Sequence, residues 1–286
     1  MTVARHNSTG FAAQDVGIDD AAFKRLSVIL RSESGIVLSE SKKSLAVSRL
    51  SRRLRELKLP DFTSYADLLE SDAGEAERRE MIYLLTTNVT NFFRESHHFD
   101  FLKNDILPSV LKGGRTGERL RIWSAGCSSG QEPYSIAMSV LEAIPDIHRY
   151  DARILATDID ANMVRTARAG VYRDLEKTQV SSERRARFFE KQKESTAWKV
   201  VEAVQKLITF EELNLIRDWP MRGPFDVIFC RNVVIYFDSG TQEALWSRFS
   251  KMLSPGGHLF VGHSERVSGP AAKTMKLVGT TLYKKN

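Results

Sequence analysis

The chain has 286 residues, with 42 Lys plus Arg, 36 Asp plus Glu, a formal charge of +6 and 42% apolar side chains. That is the make-up of an ordinary globular protein of two average domains or one large one, long enough to bury a core without staples. Two distant cysteines, Cys127 and Cys230, exclude a disulfide scaffold or a CxxC zinc site, no apolar run nears the roughly 18 residues of a membrane span, and MTVARHNSTGF shows no signal-peptide core.

Residues 1–17 read as a flexible polar tail. Asp19 or Asp20 can cap a helix whose Phe23, Leu26, Ile29 and Leu30 share a face, with Gly35 as its stop. A second helix is predicted from about Glu40 to Lys58, with Leu45, Leu50, Leu54 and Leu57 as its apolar stripe and Pro60 beyond it. Residues 42–58 hold seven basic side chains and one acid, a surplus of six that equals the excess of the whole chain. Two further amphipathic stretches, around Tyr65–Leu69 and Met81–Leu85, complete an all-helical region over 18–85.

After a linker at 86–96 the texture changes. A helix around Phe99–Leu111 leads to a glycine-rich turn, KGGRTG. Short apolar runs then alternate with helices: strands are predicted at Leu120–Ser124, Arg153–Asp158, Leu207–Leu213, Phe225–Arg231 and His258–Gly262. Helices are predicted between most of them, near Pro133–Ala143, Asn162–Arg168 and Thr241–Met252. This rhythm predicts an α/β domain over 97–286 with a doubly wound, Rossmann-like parallel sheet. A charge-rich insertion at about 171–206 breaks the rhythm and reads as a small subdomain, in which Ala197–Val201 and Val204–Phe210 could pair as a hairpin.

Three segments carry chemistry. In RIWSAGCSSGQEPYS (121–135) a strand runs into Gly126 and Gly130, where a doubly wound sheet binds its cofactor. Glu132 opens the next helix; a carboxylate there repels phosphate and suits a cation or amine. In ILATDID the strand ends at Asp158, placed to accept ribose hydroxyls, while Asp160 is the better helix cap. In FDVIFCRNVVIYF the strand should end at Cys230, so that Arg231 and Asn232 emerge at the same sheet edge with Tyr236 one turn on. The Pro-Gly-Gly of LSPGGHLF reads as a turn before the last strand. His97 and His98 read as surface or packing residues, and no metal is expected.

These runs, together with LLTTNVTNFFRE (84–95), FEELNL (210–215) and GGHLFVGHSE (256–265), resemble the chemotaxis receptor glutamate methyltransferases of the CheR family. The resemblance spans about residue 20 to the end. It implies an all-α N-terminal domain and an S-adenosylmethionine-dependent methyltransferase domain with an inserted antiparallel β-subdomain. It further implies cofactor contacts from Asn88, Thr90, Arg94, Gly126, Glu132, Asp158, Asn214, Leu215, Arg231 and Asn232, with Arg94 and Tyr236 beside the transferring methyl. The implied reaction esterifies a glutamate carboxylate on a chemoreceptor cytoplasmic helical bundle and leaves S-adenosylhomocysteine. A carboxylate with pKa about 4.3 is already ionised at neutral pH, so no general base is required.

The resemblance gives the basic helix a partner: Arg49, Arg52, Arg53 and Arg55 would dock on an acidic receptor bundle. In the best-known relatives the β-subdomain carries a glycine-rich loop that grips a receptor C-terminal peptide; FFEKQKESTAWKVV (188–201) has no glycine, so that tether is not expected here. The expected protein is a cytoplasmic monomer recruited to receptor arrays, with no membrane insertion. Two other readings are a nucleic-acid methyltransferase and a non-catalytic S-adenosylmethionine-sensing adaptor. The first lacks NPPY, DPPY or Pro-Cys motifs and has no aromatic residue within 42–58; the second would have lost Arg94, Arg231 or Tyr236, and all three are present.

Overall fold

The structure, a computed structural model, describes residues 17–110, 118–193 and 195–286. The predicted tail (up to residue 16) and the KGGRTG turn lie outside the described residues. The chain forms two compact units, one of residues up to Leu30 with Leu38–Leu85, the other of Arg31–Val37 with Thr86–Asn286.

The first unit is helical: α1 (Asp20–Ser34, its last turn counted with the second unit), α2 (Lys43–Glu56), α3 (Phe62–Glu70) and α4 (Glu75–Leu85). Asp19 starts α1 by accepting the Ala22 N–H at 2.7 Å, and Gly35 ends it with φ of +77°. In α2 the buried stripe is Ala46, Leu50 and Leu54; Leu45, expected inside, is exposed, because the buried arc follows the 4-residue step from Ala46. Beside this stripe lies a polar knot. Glu77 is 7% exposed, accepts the Tyr65 hydroxyl at 2.8 Å and pairs with Arg53 at 2.6 Å.

The second unit opens with α5 (His97–Phe101), a turn of π-helix and α6 (Leu107–Val110). Strands and helices then alternate: β1 (Arg119–Ala125), α7 (Gln131–Ala143), β2 (Asp151–Asp158), α8 (Ala161–Ala169), β3 (Val171–Arg173), α9 (Ser182–Phe188), β4 (Phe189–Lys191), β5 (Ala197–Val200), α10 (Glu202–Gln205), β6 (Ile208–Glu212), β7 (Phe225–Cys230), α11 (Ser239–Met252), β8 (Leu253–Val261), β9 (Met275–Gly279) and β10 (Leu282–Lys285). The main sheet runs β6-β2-β1-β7-β8-β10-β9; the first five strands are parallel, and β10 and β9 join antiparallel. Adjacent strand residues fall into opposite apolar layers: Ile122, Phe229 and Phe260 on one face, Trp123, Ile228 and Leu259 on the other. Both faces are therefore buried, as a parallel sheet requires.

Strand order reverses between β1 and β7, which opens a crevice at the carboxyl edge. Two local expectations are corrected. Ala197–Val200 pairs with Val171–Arg173 and Phe189–Lys191 in a separate three-stranded sheet, whereas Ile208–Glu212 joins β2 in the main sheet, so the proposed hairpin does not form. Its two halves carry the same apolar texture, and only parallel pairing with β2 separates them. The Pro-Gly-Gly lies inside β8, where the ladder to β7 shifts register between Phe225 and Val227. The terminal pair β9–β10 was not anticipated, because KLVGTTLYKK has neither a strong alternation nor a two-residue turn signature. No helix among the described residues is long and apolar enough to cross a membrane.

Replacing Glu77 by Ala leaves a buried Tyr65 hydroxyl and the Arg53 guanidinium without their acceptor. Chemical denaturation should show a loss of about 2–4 kcal/mol.

Candidate active site

The glycine loop is built by β2. The Thr157 carbonyl accepts the N–H groups of Gly126 (2.8 Å) and Cys127 (2.9 Å), and the Asp158 carboxylate accepts Ser128 N–H at 2.7 Å and Asp160 N–H at 3.0 Å. Asp160 caps α8 through Asn162 and Met163, as expected. Asp158 is thus partly committed: each oxygen already holds one backbone donor, which leaves one lone pair on each for a further donor. Burial pushes its carboxyl up to about 6. Gly126 has φ of +90°, and a Cβ there would stand 2.4 Å from Val233 Cγ2, so glycine lets the post-β7 segment close on the loop.

The linker is stitched to this loop. Asn88 Nδ2 donates to Asp160 at 3.0 Å, Ser128 Oγ donates to the Asn88 carbonyl at 3.0 Å, and Phe93 N–H donates to Ser135 Oγ on α7 at 2.9 Å. Thr90 lies half-buried between these points. Composition alone could not single out Asn88 from a polar linker.

Glu132 does not cap its helix. Its carboxylate, 9% exposed, accepts Ser124 Oγ at 2.7 Å and Arg231 Nη1 at 3.1 Å, and burial pushes its pKa up. Strand β7 ends at Cys230 and Arg231 emerges at the carboxyl edge, as the sequence predicts. Its guanidinium is enclosed: besides Glu132 it donates to the Arg94 carbonyl and stands 3.4 Å from Glu95. Burial pushes the Glu95 carboxyl up, but Arg231 beside it outweighs this and holds it below the usual range. Glu95, His97 and His98 bring ligand-type atoms within 4.8 Å of one another. The carboxylate there already faces the Arg231 cation at 3.4 Å. His98 is buried against Phe260 at 5.0 Å, and burial with Arg231 nearby lowers its pKa to about 3; His97 is exposed.

Arg94, in contrast, is half-exposed. It donates to the Val89 carbonyl at 3.2 Å and has no carboxylate partner among the described residues. Asn214 follows β6, where it donates to the Glu33 carbonyl at 2.7 Å and accepts Ile216 N–H; Leu215 beside it is buried. Asn232 takes φ of +60°, and Tyr236 lies on the 3-10 turn after it, half-buried, its carbonyl accepting Val37 N–H at 2.8 Å. One residue was missed: Glu265, whose carboxylate accepts four backbone N–H groups at the ends of β7 and β8. A buried acid in GHSE, just beyond an apolar strand, was the available signal.

Among the described residues the carboxyl edge therefore brings together a glycine loop, the Asp158 carboxylate and the Glu132 carboxylate, the last already paired with Arg231. That donor set suits a nucleoside cofactor bearing an amine or other cation, and defines an α/β nucleoside-cofactor domain. Residues 88–283 match the family described as CheR methyltransferase, SAM binding domain, and residues 21–86 match CheR methyltransferase, all-alpha domain. A probable chemotaxis protein methyltransferase of Rhizobium etli is 50% identical over 258 residues, covering 90% of this chain and 96% of that protein. Chemotaxis protein methyltransferases of Klebsiella aerogenes and Escherichia coli are each 39% identical, over 287 and 272 residues; they cover 99% and 94% of this chain and 96% and 92% of their own. The chain belongs to the CheR methyltransferase family, an S-adenosylmethionine-dependent methyltransferase of the chemotaxis type.

The raised Asp158 pKa has a signed consequence. Between about 3.9, the unfolded value, and about 6, the folded protein holds the extra proton, so this group's contribution to stability falls as pH rises through that window. Asp158→Asn does not titrate, so its stability should improve relative to wild type between about pH 4 and 6, read from urea midpoints.

Proposed function

We propose that the protein esterifies glutamate side chains on the cytoplasmic helical bundle of a chemoreceptor, working in the cytoplasm at receptor arrays. The observation that carries this reading is the contrast between two arginines at one edge. Arg231 is bracketed by Glu95 and Glu132, while Arg94, on the neighbouring linker, has its guanidinium committed only to a backbone carbonyl among the described residues. A cation so placed can take an incoming carboxylate as a charge-assisted pair.

S-adenosylmethionine, when bound, supplies a methyl group on a cationic sulfur that a carboxylate can displace. Asp158 would hold the ribose, Asn214 and Leu215 would line the adenine pocket, Arg231 and Asn232 would contact the methionine end and the site floor, and Asn88, Thr90, Gly126 and Glu132 would complete the cofactor contacts. The donor chemistry described above supports this set. Arg94 holds the acceptor carboxylate, and the Tyr236 hydroxyl orients it. The acceptor is ionised at neutral pH, so these residues move no proton; positioning supplies the acceleration, on a scale of about 7–11 kcal/mol.

Docking falls to α2, with a narrower basic face than the charge count suggests. Arg49 donates to the Leu84 and Leu85 carbonyls, and Arg53 grips Glu77, so both serve the helical unit itself. Arg52 and Arg55 on α2 and Lys58 just beyond it are exposed, Arg52 also pairing with the exposed Glu56 at 2.9 Å, and they form the surface an acidic bundle would meet. Residues 192–196, which join β4 to β5, contain no glycine, and the protein would find its receptor without a tail peptide.

Arg94→Ala should lower methyl transfer to receptor by about 100-fold while calorimetric affinity for S-adenosylhomocysteine falls far less; equal losses would remove Arg94 as the acceptor's holder. Reversing Arg52 and Arg55 to Glu should raise the KM for receptor several-fold at low salt with cofactor affinity unmoved. Receptor kinetics indifferent to that change would leave α2 a solvated face.

A further inference from the structure

The segment after β7 carries Asn232 and Tyr236; its own turn bonds use the N–H groups of Tyr236 (3.3 Å to the Val233 carbonyl) and Phe237 (2.9 Å to the Val234 carbonyl) and leave those of Asn232, Val233 and Val234 to be met from outside. Asn232 sits at φ of +60°, a conformation that costs a non-glycine residue on the order of 1 kcal/mol. Three successive N–H groups, of Asn232, Val233 and Val234, turn to one side, and Gly262 at the end of β8 adds a fourth. All four meet one carboxylate. Glu265 Oε1 accepts Val233 and Val234, each at 2.9 Å, and Oε2 accepts Asn232 at 2.9 Å and Gly262 at 2.6 Å. A carboxylate has about four acceptor sites, and here each is filled by backbone. Glu265 is 3% exposed and has no capacity left for substrate.

The arrangement reaches both halves of the site. A Cβ on Gly262 would lie 2.6 Å from Asn232 Nδ2 and 2.9 Å from Glu265 Oε2, so the strand end must be glycine for the carboxylate to close. On the other side, Val233 Cγ2 fills the space where a Gly126 side chain would be. Holding Val233 therefore sets the cover of the cofactor loop, and the 3-10 turn that follows sets the position of Tyr236.

We infer that Glu265 is a positioning residue for methyl transfer: its carboxylate anchors the Asn232–Val234 backbone and so places Tyr236 and Asn232 against the cofactor loop. This rests on the acceptor role given to Tyr236 above. A glutamine at 265 presents one acceptor oxygen and an NH2 group, so two of the four N–H groups lose their partner while size and shape are kept. Glu265→Gln should lower kcat for receptor methylation by about 100-fold, the scale of an ångström of misplacement, while affinity for S-adenosylhomocysteine falls far less and the protein stays folded by near-UV circular dichroism.

The double variant Glu265→Gln/Tyr236→Phe should then be no slower than Glu265→Gln alone, because the hydroxyl is already out of place. A merely structural role would leave the specific activity of folded protein intact; that result, or two losses that multiply in the double variant, overturns the proposal. Should Glu265→Gln not fold, Glu265→Asp, which keeps the anion on a shorter arm, carries the same comparison. In protein without acceptor, the Val233 methyl resonances should shift in either variant, and unmoved resonances would also overturn it. A wild-type protein that transfers no methyl to receptor would count against the acceptor reading alone and leave this resonance test standing.

Discussion

Arg231 leaves β7 with its guanidinium almost wholly enclosed, and a charge in that position has to be matched from several directions at once. Glu132 meets it from the first turn of α7, Glu95 from the linker, and the Arg94 carbonyl from the same linker, while Nε has no hydrogen-bond partner among the described residues. An unpaired buried charge would cost several kcal/mol, so each partner is obliged to stay where it is. The linker is thereby tied to the sheet's carboxyl edge at Arg94, whose side chain stays half-exposed. Two arginines of the same type thus differ in enclosure, and the acceptor role proposed for Arg94 rests on that difference.

Two other buried acids act on backbone rather than on side chains. Asp158 collects the N–H groups of Ser128 and Asp160, and Glu265 those of Asn232, Val233, Val234 and Gly262. Both lie at strand ends where a parallel sheet runs out of ladder partners, and irregular backbone there must find acceptors elsewhere. Burial pushes both carboxyls up, against the pull of the hydrogen bonds they accept. The same economy of fixed backbone explains the glycines: Gly126 and Gly262 sit where a neighbouring segment passes too close for a side chain.

The basic segment shows how a charge count and a surface differ. Residues 42–58 contain the whole positive excess, yet Arg49 and Arg53 turn to the helical unit's own carbonyls and to Glu77, because their long aliphatic stems lie beside the buried stripe of α2. What is presented outward is the set on the far side of the helix. Electrostatic attraction to an acidic partner is then a property of a few exposed residues, and it acts over a Debye length rather than by contact.

The alternation of apolar runs and helices, the glycine loop, an acid at the end of β2 and a polar pair closing β7 were legible in the chain because each rests on local rules: side-chain period, glycine freedom and the cost of burying Arg or Asn inside a strand. The same rules failed for Ala197–Val200, which pairs across the chain, and for β9 and β10, whose partners are set by the sheet edge. They also could not tell which arginine would be buried, that Asp158 would be shared with backbone donors, or that Glu265 would take four of them. Local pattern determined the kind of fold and the edge on which its chemistry stands; only tertiary structure decided which charged groups neutralise one another there, because pairing depends on distances between residues that lie tens of positions apart in the chain.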